Sequence, residues 1–292
     1  MTHISTEHYV YAMSKDNTPV AHIEPNQRFT VDTFDCFRNQ MEGAGYVLEE
    51  IDFAKVNPAT GPVFVQGAEV GDVLAVTIHE IELADKGSMV SSELFGSLSH
   101  KLSGSVVHPV TINGNSAEIA PNLNVPLSPM VGVIGTAPAE GTIACGSPGE
   151  HGGNMDTKEI KQGSVVYLPV NHPGGLLSLG DLHAAMGDGE LSGTGIEIPG
   201  KVTLSVEVLK QSNLPTPAVL NADLLTFIAS DPDLDAAATQ AVEKAHQHLM
   251  TEYEMTDHVA SRWMSVGADL GVSQIVNPLK TAKVTLNLSW LK

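Results

Sequence analysis

Apolar and polar positions alternate with a period of two over many short runs of this chain. Between Arg28 and Asp35, Phe29, Val31 and Thr33 fall on one face against Thr30, Asp32 and Phe34, which predicts a half-buried strand. Val63–Val65 and Val73–Ile78 are short apolar runs bounded by the turn signals Gly61-Pro62 and Gly71-Asp72. Further strands are predicted at Val106–Ile112, Ser116–Ile119, Val165–Val170, Leu176–Leu179 and Val202–Leu209. Residues 84–105 are rich in Ser and Gly with weak periodicity, which predicts a surface excursion or flap. The period changes after Pro215-Thr-Pro217. Ala237, Ala241, Ala245 and Leu249 recur at i, i+4, so a helix is predicted from Leu234 to Tyr253, capped by Asp231-Pro232-Asp233. A second helix is predicted from His258 to Asp269, capped by Thr256-Asp257 and ended by Gly271, with a final strand over Lys283–Leu291. Leu224, Leu225, Phe227 and Ile228 read as an apolar lead into the first helix. The pattern therefore predicts a mainly β chain: a sandwich- or barrel-like core over residues 1–213, and a C-terminal α+β segment, 214–292, of two helices and a final strand packed on it.

Composition narrows what such a fold can do. With 42% hydrophobic and 17% charged residues, the 292-residue chain is neither disordered nor a coiled coil. Fifteen Lys and Arg against 34 Asp and Glu give a formal charge of −19. That balance excludes nucleic acid and anionic membranes as partners and favours neutral or cationic small ligands, or metal ions. Cys36 and Cys145 stand far apart in dissimilar contexts, so no disulfide framework is expected. The N-terminal stretch lacks a basic region followed by an apolar one, and no apolar run nears the ~20 residues that span a bilayer. A cytoplasmic protein is expected.

Candidate chemistry concentrates in two glycine-flanked segments, Gly149-Glu-His-Gly-Gly-Asn-Met-Asp156 and Gly180-Asp-Leu-His-Ala-Ala-Met-Gly-Asp-Gly-Glu190. If the strand at Leu176–Leu179 continues, Asp181 and His183 share one face. Imidazole with carboxylate suits zinc or another divalent ion, so His151, Asp156, Asp181 and His183 are the candidate metal ligands. Either segment alone could be a polar turn; His and Asp flanked by Gly twice within forty residues argue for a site. Asp35 could complete it from the other end of the fold, or could bind a turn amide. Cys145, upstream of His151, is a competing nucleophile. Cys36 beside Asp35 is a poor one, because a neighbouring carboxylate disfavours the thiolate.

At these residues the sequence resembles the acetamidase/formamidase family: Pro148-Gly-Glu-His-Gly-Gly-Asn-Met-Asp-Thr157, Leu179-Gly-Asp-Leu-His-Ala-Ala-Met-Gly-Asp-Gly-Glu190, and on to Ser192-Gly-Thr-Gly-Ile-Glu197. Thr60-Gly-Pro62, Gly71-Asp-Val-Leu-Ala75, Pro129-Met-Val-Gly-Val-Ile134 and Ser273-Gln-Ile-Val-Asn-Pro278 extend the likeness over nearly the whole chain. The resemblance implies a β-rich enzyme that hydrolyses short aliphatic amides, formamide and acetamide, to ammonia and the carboxylate. It also implies a bound divalent metal, with zinc the first choice and calcium or another ion the alternative, and a homodimer. On that reading Glu190 is the general base and later acid, with Asp188 in reserve. Backbone N–H groups at Gly152 and Gly153 stabilise the oxyanion, and Asn154 holds the substrate amide. Gly and Ala near the motifs predict a small pocket, which the 87–105 excursion could reshape. The alternatives are a hydrolase of another small C–N substrate and a non-catalytic metal- or ligand-binding module.

Overall fold

The computed structural model describes residues 1–41 and 48–291. Among these residues, four sheets carry the fold. The largest has nine strands, ordered Thr2–Ile4, Phe29–Thr33, Gly200–Leu209, Val73–Leu83, Val165–Pro169, Ala218–Asn221, Leu224–Asp231, Lys280–Asn287 and Ala268–Gln274. A second, of six strands, contains Gly152–Asn154, Met130–Gly135, Leu177–His183, Ala59–Val65 and Tyr9–Val10 in that order, with Ala21–Ile23 also pairing Ala59–Val65. One apolar cluster joins the two: Phe29, Val31, Leu74, Val76, Val202 and Leu204 from the larger sheet meet Val63, Val131, Ile134, Leu177 and Leu179 from the smaller. Each such side chain contributes roughly 1.5–3 kcal/mol when fully buried, so this shared face fixes how the sheets stack. The result is a layered, mainly β molecule in which no described sheet closes into a barrel.

The excursion after residue 84 is more regular than its composition suggested. Lys86–Ser92, Ser105–Asn113, Ser116–Ala120 and Leu123–Pro126 form a four-stranded antiparallel sheet, and residues 93–104 are the one long stretch between its strands. Serine and glycine lowered the apparent periodicity here because much of this sheet faces water: Val106 and Leu123 are exposed.

Two helices follow, α1 over Leu234–Glu252 and α2 over Asp257–Gly267. Asp233 caps α1, its side chain accepting from the Ala236 N–H at 2.9 Å. The alanine stripe of α1 lies on Phe227, Leu225, Val284 and Leu286; its small side chains let the helix approach the sheet closely. Three details differ from the sequence reading. Leu224–Asp231 is a strand rather than a lead into the helix, because its apolar residues are covered by α1 on one face and the shared core on the other. Gly271 does not end α2; the helix stops at Gly267, where the Trp263 indole occupies the space a Cβ would need, and Gly271 lies within the strand Ala268–Gln274. The last strand runs Lys280–Asn287, with a single 3-10 turn over Leu288–Trp290. Because Ala218–Asn221 pairs with Val165–Pro169, the C-terminal strands extend the nine-stranded sheet.

One buried carboxylate ties the sheet's edge loops together. Asp72 accepts from the Glu69 N–H at 2.8 Å, the Gln211 N–H at 3.0 Å and the Lys210 ammonium at 2.8 Å. Burial alone would raise its pKa, but the ammonium and the two N–H groups outweigh it and hold the carboxyl below the usual range. A depressed folded pKa stabilises the fold above the unfolded value, ~3.9, and that stability is lost as pH falls through the lower folded value. Asp72→Asn should therefore lower the melting temperature by several degrees at pH 7. The gap to the parent should shrink below about pH 4, near the unfolded value, as thermal melts across pH will show.

Candidate active site

The Leu177–His183 strand lies between Met130–Gly135 and Ala59–Val65 and is buried along its whole length. It carries Asp181 and His183. Asp156 follows the short edge strand Gly152–Asn154. Glu190 comes from a tight turn in which its N–H donates to the Gly187 carbonyl and its own carbonyl accepts from Gly193. Glu197 is held by reciprocal backbone hydrogen bonds to Ser88, at 2.8 Å each. These elements bring four carboxylates around one imidazole. His183 Nε2 is 3.2 Å from Glu197 Oε1, 3.5 Å from Asp181 Oδ1 and 3.9 Å from Asp156 Oδ1. Donor atoms of Asp156, His183 and Glu190 lie within 4.8 Å of one another, and so do those of Cys36, Asp181 and Glu197.

The backbone is strained to achieve this. Asp156 has φ 42°, Asp181 φ 55° and Glu190 φ 47°, a left-handed region that costs a non-glycine residue roughly 1–2 kcal/mol. Three such residues converging on one point indicate a geometry kept for chemistry. Alternation alone does not bring Asp181 and His183 together, since Asp181 leaves extended conformation within the strand. Glycine makes the room. A Cβ on Gly132 would lie 2.5 Å from Asp156 Oδ1 and 2.9 Å from the Asp181 carbonyl; one on Gly195 would lie 2.7 Å from His183 Nδ1.

Among the described residues no Lys or Arg forms an ion pair with these four carboxylates; the basic side chains nearby are taken elsewhere. At an effective dielectric of ~20, two charges 4 Å apart repel by ~4 kcal/mol, so the cluster cannot hold four bare anions without a counter-charge. The acids are accordingly shifted. Burial, reinforced by the Asp181 charge, raises Asp156 to about 6. Burial raises Glu197 to about 7 even against His183, which lowers it. Burial and then the Asp156 charge push Glu190 well above the carboxylate range. Burial disfavours the charged His183 ring, but Glu197 and Asp181 outweigh it and raise its pKa well above normal. Burial and the Glu197 and Asp181 charges likewise raise the Cys36 thiol.

The donor set fits a divalent cation. Asp156 Oδ1, Asp181 Oδ1 and Glu197 Oε2 are buried with no hydrogen-bond partner, and a cation would satisfy all three. Asn277 anchors the opposite side, its amide donating to Asp156 Oδ2 at 2.6 Å and to the Asn154 carbonyl at 3.0 Å. Asn57 donates to Asp181 Oδ2 at 3.3 Å. A cavity of about 360 Å³ opens on the cluster, lined by Cys36, Asn154, Asp181, Glu190, Glu197 and Asn277 together with three phenylalanines. Asn154 Oδ1 is buried there without a partner.

Several residues expected at the site lie elsewhere. His151 belongs to neither donor group; it borders a separate cavity with Glu140 and Glu150, and burial lowers its pKa to about 4. Asp188 is bound by Lys283 at 2.6 Å and Lys158 at 2.9 Å, so it is not a free base. The Asp35 side chain accepts from the Asn39 N–H at 2.6 Å, the turn-amide role, while its neighbour Cys36 faces the cavity. Gly152 already donates its N–H to the Gly149 carbonyl, and Gly153 sits opposite Ile134 in the sheet, so neither lines the cavity. Cys145 is buried, its thiol pushed up to about 12 by burial, which removes it as a nucleophile. Glu197, Asn277 and Asn57 were given no role at the site from the sequence. Glu197 and Asn277 lie in two of the stretches that carry the family resemblance, Ser192–Glu197 and Ser273–Pro278, which was the available signal; Asn57 had none.

The sequence matches the model of the Acetamidase/Formamidase family over residues 12–145 and 140–277. Its fold superposes on the crystal structure of acetamidase from Bacillus halodurans with a TM-score of 0.96, 43% identity, and coverage of 99% of this chain and 98% of that one. A predicted acetamidase/formamidase from Thermoanaerobacter tengcongensis gives 0.96 and 42%, covering 99% and 96%. The formamidase of Methylophilus methylotrophus is 26% identical over 65% of this chain and 61% of its own length. The chain thus spans about half to three fifths of the curated formamidases it first matches.

Proposed function

The chain belongs to the acetamidase/formamidase family, and from that premise we propose that it hydrolyses the C–N bond of primary amides, formamide and acetamide among them, with a divalent cation at the carboxylate–imidazole cluster. The observation that carries this reading is the convergence around His183 of Asp156, Asp181 and Glu190, all three in the left-handed region, with Oδ1 of Asp156 and Asp181 and Oε2 of Glu197 buried without a hydrogen-bond partner. Asp156, Asp181, His183 and Glu197 would hold the ion, and the Cys36 thiol beside Asp181 and Glu197 favours zinc over calcium, which prefers oxygen alone. The ion would supply Lewis-acid polarisation of the amide carbonyl.

The chain's own groups do the rest. An amide resists water because its nitrogen lone pair is delocalised, so the nitrogen must be protonated as it leaves. Glu190 is the group placed for both proton transfers. It lines the cavity, and burial holds its pKa well above the carboxylate range, so it keeps a proton more readily than an exposed carboxyl and can hand it to the leaving nitrogen. One oxygen takes the proton of the attacking water and then delivers it to the departing nitrogen. The free Asn154 Oδ1 accepts an N–H of the substrate amide, and Asn277 keeps Asp156 and the Asn154 backbone in place.

Ammonia release from acetamide should fall at least tenfold on chelation and return with added zinc, elemental analysis of the same samples showing the ion leave and re-enter. Release that persists in metal-free protein would overturn the cation's role. Metal-loaded protein that releases no ammonia from any amide would overturn the hydrolase reading.

A further inference from the structure

Formamide or acetamide would leave most of the cavity unfilled. Those amides occupy the space of two or three waters, ~60–90 Å³ at ~30 Å³ per water. The cavity holds about 360 Å³, in the range that receives drug-sized ligands. The chain has seven phenylalanines, and three of them, Phe37, Phe53 and Phe95, line this one cavity with Val56, Val276 and Pro278 beside them. Among the described residues no Lys or Arg lines it, so the far wall offers an acyl group apolar contact rather than a basic side chain.

Phe95 comes from the segment that follows the Lys86–Ser92 strand. Its ring lies against Gly193, where a Cβ would come within 2.6 Å of Phe95 Cδ2. Gly193 in turn donates its N–H to the Glu190 carbonyl. The ring is thus registered to the turn that presents the acid–base. Phe37 is buried and Phe53 half exposed, which gives the apolar wall a closed end and a wet rim.

We propose that Phe37, Phe53 and Phe95 form an acyl subsite for an aromatic group, so that arylacyl primary amides such as phenylacetamide and benzamide are better substrates than acetamide. This rests on the hydrolase reading above. Edge-to-face contact with the rings and removal of a phenyl group from water supply the preference.

The test has two readouts. Ammonia release is measured on metal-loaded protein with formamide, acetamide, benzamide and phenylacetamide. Binding of phenylacetamide is measured by calorimetry on the Glu190→Gln protein. Phenylacetamide should exceed acetamide in kcat/KM by about tenfold to a hundredfold. Phe95→Ala should cut that ratio about tenfold and weaken phenylacetamide binding similarly; Phe95→Leu, which keeps apolar bulk, should fall between. A ratio at or below one, or a ratio and affinity indifferent to both Phe95 variants, overturns the subsite while acetamide turnover leaves the hydrolase reading standing. Phenylacetamide binding that depends on Phe95 without any turnover would uphold the subsite and overturn the hydrolase reading instead.

Discussion

Glu190→Gln should lower kcat for amide hydrolysis by about 10²–10⁴-fold, the usual worth of a positioned acid–base, with KM little changed and the bound metal retained. Glutamine keeps the shape of the side chain and loses only the ability to carry a proton. Glu190 sits at φ 47° in a turn whose Gly189 N–H and carbonyl are pinned to Ser273 and Ile275, so its position survives the change. The side chain also borders a second cavity, of about 430 Å³, walled by Met89, Ile119 and Val125, and is itself buried among the other acids, which is why the carboxyl is so strongly desolvated. Steady-state kinetics, with elemental analysis of the variant, decide the matter. Retained turnover would remove Glu190 from the proton path. Lost metal would make it a ligand, and the acid–base would then have to be sought among Asp156 and Glu197.

The strands and α1 were legible because burial on one or two faces writes itself as a period, and the Ala237–Leu249 stripe could be nothing but a helix face packed close to a sheet. Leu224–Asp231 was illegible because a strand covered on both faces has no period, and its apolar run abutted the helix cap. Of the residues the motifs singled out, the structure brings Asp156, Asp181, His183 and Glu190 together, since Gly flanks mark a backbone that must turn sharply. His151 and Asp188 do not join them, because the sequence shows residue type but not direction: one ring turns toward a separate cavity, and one carboxylate is claimed by lysines 30 and 95 residues away in the chain. Cys36 was dismissed as a nucleophile on sound grounds, but the same carboxylates that disfavour a free thiolate suit a shared cation. Asn277 shows why the C-terminal segment belongs to the site: it reaches Asp156 from 121 residues away, a separation no local pattern encodes.

Gly132→Ala should abolish turnover to a similar degree, by ~10²-fold or more, and should also deplete the metal, although a methyl group is the smallest side chain that can be added. The backbone there is ordinary, so strain in φ is not the reason. The reason is space. The new Cβ would stand 2.5 Å from Asp156 Oδ1, 2.9 Å from the Asp181 carbonyl and 3.1 Å from Asp181 Oδ2, and contacts under 3.0 Å are essentially never tolerated by a real Cβ. The strand cannot give way, since Met130–Gly135 is buried at every residue and paired on both sides. The carboxylates must therefore move, and Asp156 is the freer of the two because its strongest tie, to Asn277 at 2.6 Å, lies at its other oxygen. A shift of ~1 Å in a positioned group costs about 10²-fold in rate, and the same shift takes one oxygen out of the donor set. Thermal melts should show the fold intact, because the hydrophobic sheet contacts are untouched. Wild-type turnover in the alanine protein would mean that Asp156 and Asp181 need not be where the structure puts them, and the cation site would have to be redrawn around Cys36 and Glu197.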